Sequence, residues 1–157
     1  RTLLCKKILL LKKEMFSKHG KCLILVDNET KQTEYQTFLK KHNFTENVII
    51  QDINDENVFN KTKEFIEDAL MKDKNDYYNE DNYYFIVTDT FNDTWLKENK
   101  NMFILLKNLF TNFKLYKCVC VITCESPKNE LLMLCKRQLK YYFNLNEETV
   151  ETYHWSV

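Results

Sequence analysis

The sequence lacks the glycines that nucleotide-binding domains place between a strand and the following helix. It holds one glycine in 157 residues, Gly20, which lies before the first predicted strand rather than after it. Glycine is what usually lets the backbone come close to a phosphate at that point of an alternating β/α fold. We therefore expect no nucleotide, no other cofactor and no enzymatic activity.

An excess of one charge and long hydrophobic runs are missing as well. Lys+Arg and Asp+Glu balance at 23 each, so no overall basic field attracts nucleic acid or an anionic membrane. No apolar run approaches the roughly 18 residues of a membrane span, and the amino terminus has no signal-peptide cleavage pattern. We expect an intracellular chain, cytoplasmic or nuclear, with protein partners; a membrane is not expected and nucleic acid is not favoured.

Six cysteines are present, but their pattern does not predict disulfides or a metal site. Most of them lie inside apolar runs, where cysteine behaves as a small hydrophobic residue, and this favours a reducing compartment. Cys118 and Cys120 are two apart on a predicted strand, so they share one face. With Cys124 and His154 they do not match the Cys-x₂-Cys spacing of zinc sites. We predict buried thiols and no metal.

Apolar residues alternate along the chain between continuous runs and helical spacing. The continuous runs, which are typical of strands buried on both faces, lie at 22–26, 48–50, 83–87 and 116–122. Helical spacing fills the segments between them, including one helix over 96–113 and one from Ser126 to Tyr142. A fifth, edge strand is predicted at 150–155. This order predicts a three-layer α/β sandwich with a mostly parallel sheet of four to five strands, Rossmann-like or flavodoxin-like.

No domain boundary or internal repeat is visible, so residues 1–157 are predicted to form one domain. Arg1 in place of an initiator methionine suggests a piece of a larger protein. Residues 72–82 are polar and dotted with tyrosine, which predicts a surface insertion.

Acidic and hydroxyl side chains follow the predicted strands. Asp27 and Glu29 follow the first, Asp52 the second, Asp89 the third and Thr123 the fourth. Because function gathers at the carboxyl ends of strands in open α/β sheets, these acids are candidates for a Mg²⁺ site. Asp, Asn and Thr also end strands and cap helices in ordinary structures, and we favour that interpretation. We therefore predict no catalytic residues.

The segments 25–29, 87–89 and 121–123 together resemble, in their order, the receiver domain of two-component signalling. The resemblance implies that Asp89 is the phosphoacceptor, Asp27 or Glu29 a metal ligand and Thr123 the switch hydroxyl. The chain departs from the family where Asn28 replaces an acid. The proline and glycine after the acceptor are missing, and no lysine follows Val150. These departures imply a degenerate receiver-like (pseudo-receiver) domain.

The segments 20–25, 38–43 and 87–89 resemble the C-terminal lobe of superfamily 2 helicases and its non-catalytic relatives in chromatin complexes. Those lobes contact the γ-phosphate through arginines, whereas this chain has only Arg1 and Arg137. The resemblance therefore implies a lobe without ATPase activity. Small pseudo-GTPases that have lost their phosphate loop are a third possibility of the same kind.

The sequence as a whole favours a catalytically silent α/β domain that serves as a protein–protein interaction or scaffold module in a larger intracellular complex. The alternatives are a receiver-type domain with Asp89 as phosphoacceptor, and a degenerate helicase-like lobe in a chromatin or nucleic-acid complex. A metal-dependent hydrolase using Asp27, Asp52 and Asp89 is the enzyme-class alternative.

Overall fold

The computed structural model describes residues 2–13, 20–43, 46–71, 84–91, 93–112, 118–124, 129–135, 141–144 and 149–152. For the last two segments, and for Thr90 and Phe91, the description covers the backbone alone. The predicted insertion at 72–82, the predicted helix start at Ser126 and the candidate ligand His154 lie outside the described residues.

A four-stranded parallel sheet forms the centre of the molecule. Its strand order is β2-β1-β3-β4, and every neighbouring pair is parallel. The chain leaves β1 toward one edge to form β2 and then crosses to the other side for β3, which puts the topological switch point between β1 and β3. The strands are β1 Cys22–Val26, β2 Val48–Asp52, β3 Tyr84–Phe91 and β4 Cys118–Cys124.

Helices cover both faces of this sheet, which confirms the predicted three-layer α/β sandwich. Residues of β1 alternate between two core clusters, because successive side chains of a strand point to opposite faces. One face, here called the α1–α2 face, is covered by α1 Thr2–Leu11 and α2 Glu29–Lys41. The other face is covered by α3 Val58–Met71, α4 Asp93–Glu98, α5 Lys100–Thr111 and α6 Glu130–Cys135.

The single helix predicted over 96–113 is wrong in one respect, because the chain forms two helices that meet at Asn99. Asn99 has φ −120° and ψ 63° and so leaves the helical conformation. Its side-chain amide donates to the carbonyl oxygen of Trp95 at 2.8 Å. Asparagine competes in this way for helical carbonyls, whereas the apolar spacing on either side of it continues without a break.

A strand forms where the fifth was predicted, but its predicted place at the edge of the main sheet is wrong. Thr149–Thr152 is a strand, β6, but it pairs antiparallel with β5, Tyr141–Asn144, in a separate two-stranded sheet. Tyr142, which was expected on the last helix, therefore lies in a strand. Four residues separate β5 from β6, and so short a connection favours a hairpin over the long crossover that a parallel strand requires.

Two asparagines shape the turn between α2 and β2. Asn43 and Asn47 have φ of 55° and 63°, in the left-handed region that favours glycine. Asparagine is among the few other residues that adopt this conformation readily. The chain thus adopts the left-handed conformation at these two positions without using glycine.

No helix in the described segments is both long and apolar enough to cross a membrane.

Candidate functional site

The carboxyl edge of the sheet holds a buried carboxylate at the switch point. Val26 of β1 and Asp89 of β3 are register partners, so Asp27 follows directly beside Asp89. Asp89 shares its face of β3 with Phe85 and Val87, and its side chain is 0% exposed. A buried carboxylate needs donors and a compensating charge.

Two side chains of α2 supply the donor and the charge. The Tyr35 hydroxyl donates to Asp89 Oδ2 at 2.6 Å. Lys31 Nζ lies 3.7 Å from Asp89 Oδ1 and 3.0 Å from Asp27 Oδ1. The Lys31 ammonium therefore lies between the two carboxylates, and the two sequence-predicted acids Asp27 and Asp89 are brought together through it.

The start of α2 sets this geometry. Lys31 and Tyr35 are four residues apart, which places them on one side of α2, and Asp27 lies just before the N-cap of this helix. Asn28 caps the helix, since its Oδ1 accepts from the Lys31 backbone N–H at 2.8 Å. Its Nδ2 donates to Asp27 Oδ1 at 3.1 Å. One asparagine thus fixes both the first turn of α2 and the Asp27 carboxylate.

Cys5 of α1 lies in the same buried cluster as Tyr35. Burial, and then the charge of Asp89, raise the pKa of the Cys5 thiol to about 11. Burial, followed by Cys5 and Asp89, also raises the pKa of Tyr35. Both groups therefore stay protonated near pH 7 and are unsuited to act as nucleophiles.

Asp52 forms a local turn instead of joining this pair. Its Oδ1 accepts from the backbone N–H of Asn54 at 2.9 Å and from Asn54 Nδ2 at 3.1 Å. The same amide donates to the carbonyl oxygen of Asp27 at 2.9 Å. Asp52 thus ties the β2 loop to the end of β1 through Asn54, as the capping interpretation of these acids predicts.

The two other candidate residues lie in positions with ordinary structural roles. Thr123 Oγ1 donates to the carbonyl oxygen of Thr88 at 2.9 Å, and Thr88 Oγ1 donates to that of Val121 at 3.3 Å. These bonds tie β4 to β3. Glu29 is an exposed residue in the first turn of α2, where a negative charge favours the helix dipole.

The cysteines are free thiols, and the described residues contain no group of three or more His, Cys, Asp or Glu side chains that could hold a metal. Cys118 is buried, and Cys120 packs half-buried against the same core cluster, as their spacing predicts. Burial raises the pKa of Cys120 well above its ordinary value. These thiols are therefore neutral core side chains.

A shallow hollow of about 690 Å³ lies at the same edge, between the start of α3 and the junction of α4 and α5. Half-buried Phe59 and Trp95 form its apolar part. Its rim carries charges of both signs, from Asp55, Glu56, Lys97, Glu98 and Lys100. The backbone N–H of Asn57 lowers the pKa of Asp55. The mixed rim offers no uniform field for a triphosphate.

Sequence reasoning found Asp27 and Asp89 but missed Lys31 and Tyr35. Both partners lie on a helix that the sequence predicts from its apolar spacing, and that spacing assigns no role in a site to either side chain. The spacing of four between Lys31 and Tyr35 is the signal that the sequence offers, because it puts the two on the same side of α2.

Comparison with known proteins gives no further guide to the site. No model of a protein family, no curated protein and no solved structure matches this chain.

Proposed function

We propose that the chain is a catalytically silent α/β domain that binds another protein within a larger intracellular complex. The observation that carries the proposal is the state of Asp89, the acid at the switch point. Its side chain has no exposed surface, Tyr35 donates to one of its oxygens, and Lys31 faces the other.

This arrangement is unfavourable for chemistry at Asp89. A phosphoryl acceptor must present a carboxylate oxygen in line with the incoming phosphorus, with cations ready to neutralise the transferred charge. Here Asp89 Oδ2 accepts a bond of 2.6 Å from a buried phenol. The other oxygen, Oδ1, lies 3.7 Å from Lys31 Nζ, and the side chain has no exposed surface through which a phosphorus atom could approach.

Exposed leucines on α1 support a role in protein binding. Cys5 and Leu9 are fully buried against the sheet, whereas Leu3, Leu10 and Leu11 are 64%, 40% and 81% exposed. Leu3 and Leu10 are seven residues apart, so they lie almost in line along the outer side of this helix. An apolar stripe on the outside of a helix is the kind of surface that a protein partner covers.

Two measurements test the two halves of the proposal. Calorimetric titration with ATP and with GTP in the presence of Mg²⁺ should show no binding up to millimolar concentration. The tagged chain, purified from its own cells, should retain a partner that is lost with Leu3→Glu/Leu11→Glu. The matched control is Lys63→Glu on α3, which should retain it. Nucleotide binding with turnover, or the same co-purifying proteins with all three chains, would overturn the proposal.

One observation favours the receiver-type alternative: two carboxylates and a lysine meet at the end of β3. The lysine is Lys31 of α2, however, rather than a residue after Val150. Beryllofluoride with Mg²⁺ decides the matter, because a receiver would show amide shifts around Asp89 that disappear in Asp89→Asn. The helicase-lobe alternative predicts binding of ATP or of nucleic acid, which titration with ATP and with an oligonucleotide tests.

A further inference from the structure

The Lys31 ammonium lies between two carboxylates that would otherwise need a bound cation to neutralise them. Lys31 Nζ is 3.0 Å from Asp27 Oδ1 and 3.7 Å from Asp89 Oδ1. The side chains of Lys31 and Asp27 are only 22% and 24% exposed, and that of Asp89 is 0% exposed. The ammonium and the two carboxylates are therefore largely shielded from solvent and from mobile ions.

Two neighbouring carboxylates in such a place repel each other unless a positive charge lies between them. Divalent cations often supply that charge in proteins through one or two carboxylate ligands. In this chain the positive charge is covalently attached. Asn28 caps the first turn of α2 at the Lys31 backbone N–H, so the backbone of Lys31 is fixed within reach of the pair.

We propose that Lys31 is a built-in counter-cation, which takes the place of a metal ion at the Asp27–Asp89 pair. The pair then has a single form, in contrast to a metal site, which has an ion-bound and an ion-free form. A site neutralised by a free ion has an occupied and an empty form, and the balance between them depends on that ion. A site neutralised by its own lysine has no empty form. The inference goes beyond the binding of a protein partner and does not depend on it.

The proposal has a direct consequence for a chain without the ammonium. Removal of the Lys31 amine, with both carboxylates kept, leaves two negative charges without the ammonium that lay between them. That arrangement should attract a divalent cation, because hard cations prefer carboxylate oxygens. Lysine and metal then compete for the same pair of acids.

The experiment measures Mn²⁺ binding by electron paramagnetic resonance in the wild-type chain and in Lys31→Ser. We expect the variant to bind Mn²⁺ at least tenfold more tightly than the wild-type chain. Asp89→Asn in the Lys31→Ser background should abolish the gain. Lys61→Ser is the matched control, because Lys61 pairs with Asp55 at 4.0 Å at the same edge and half its side chain is exposed. It should bind Mn²⁺ as the wild-type chain does.

Either of two results would overturn the proposal: tight Mn²⁺ binding by the wild-type chain that Asp89→Asn removes, or no gain in Lys31→Ser. If Lys31→Ser is unfolded without metal, circular dichroism with added Mn²⁺ decides. Recovery of helical signal supports the counter-cation, and no recovery counts against it.

Discussion

At the scale of single residues, the Tyr35 hydroxyl is the contact on which the buried carboxylate depends most. It donates to Asp89 Oδ2 at 2.6 Å, so it connects α2 and β3. A hydrogen bond to a buried charge contributes more than one between neutral groups, because the charge is costly to leave without a donor.

Tyr35→Phe should lower the free energy of unfolding by about 2 kcal/mol, since it removes a donor from a buried carboxylate. Tyr84→Phe is the matched control. The Tyr84 hydroxyl also donates to a carboxylate, Asp68 Oδ2 at 2.9 Å, but that carboxylate is 47% exposed. Its loss should cost less than about 1 kcal/mol, because water replaces the donor. Urea unfolding followed by circular dichroism measures both, and equal costs would contradict the assignment.

Sequence reasoning at this scale succeeds for the acids and fails for their partners. Asp27 and Asp89 were predictable because the end of a buried strand is a defined place. Lys31 and Tyr35 were not, because their spacing shows only that they share a side of α2. Which side faces the sheet is settled by tertiary packing. The lysine beside Asp89 comes from α2, and no motif along the chain displays that contact.

At the scale of the element, α2 is the helix that builds the site, and the residues at its start set most of the site's geometry. Asn28 has extended backbone angles, φ −158° and ψ 164°, and caps the helix with its side chain. Glu29 in the first turn and Lys40 and Lys41 in the last complement the helix dipole. The helix is therefore favoured at both ends by local interactions, independently of the core that Tyr35 and Leu39 join.

Asn28→Ala should destabilise the protein by about 1 kcal/mol, the usual cost of losing an N-cap acceptor. Asn28→Ser keeps an acceptor at the cap and should recover most of that loss. The same unfolding assay measures both. If alanine and serine cost the same, the cap is not what Asn28 contributes.

The helices and strands differ in how far the residues of each segment alone predict its structure. β1 and β3 were predictable because an unbroken apolar run fits a strand buried on both faces. The break at Asn99 was missed, because one side-chain bond to Trp95 interrupts an apolar pattern that continues past it. The pairing of β5 with β6 was missed because strand partners are chosen between segments, not within one.

At the scale of the whole molecule, two apolar clusters share the same strands, since β1 and β3 contribute to both faces. Neutral thiols are part of both clusters: Cys5 and Cys22 lie on the α1–α2 face, and Cys118 and Cys135 on the other. Burial raises the pKa of Cys5 and of Cys135 from 9.0 to about 11. The folded core therefore depends on these thiols keeping their protons.

Stability should fall in alkaline solution as a result. Below pH 9 the two thiols are protonated in both states, so their contribution is complete. Between pH 9 and 11 the unfolded chain releases these protons and the folded chain holds them, so unfolding becomes easier. We expect the loss to reach at least about 2 kcal/mol by pH 11, from urea midpoints measured at half-unit steps. Cys5→Ala/Cys135→Ala should show a shallower fall, and a flat profile for the wild-type chain would contradict the argument.

The left-handed asparagines of the α2–β2 turn have a consequence for the unfolded chain. A glycine at Asn43 or Asn47 would fit the same angles, but it would give the unfolded backbone more conformations to lose. Each residue with a Cβ that fits its native angles spares roughly 0.4–1 kcal/mol of this entropy. With asparagine at these positions the folded chain has mild steric crowding, but the unfolded chain has fewer backbone conformations to lose on folding.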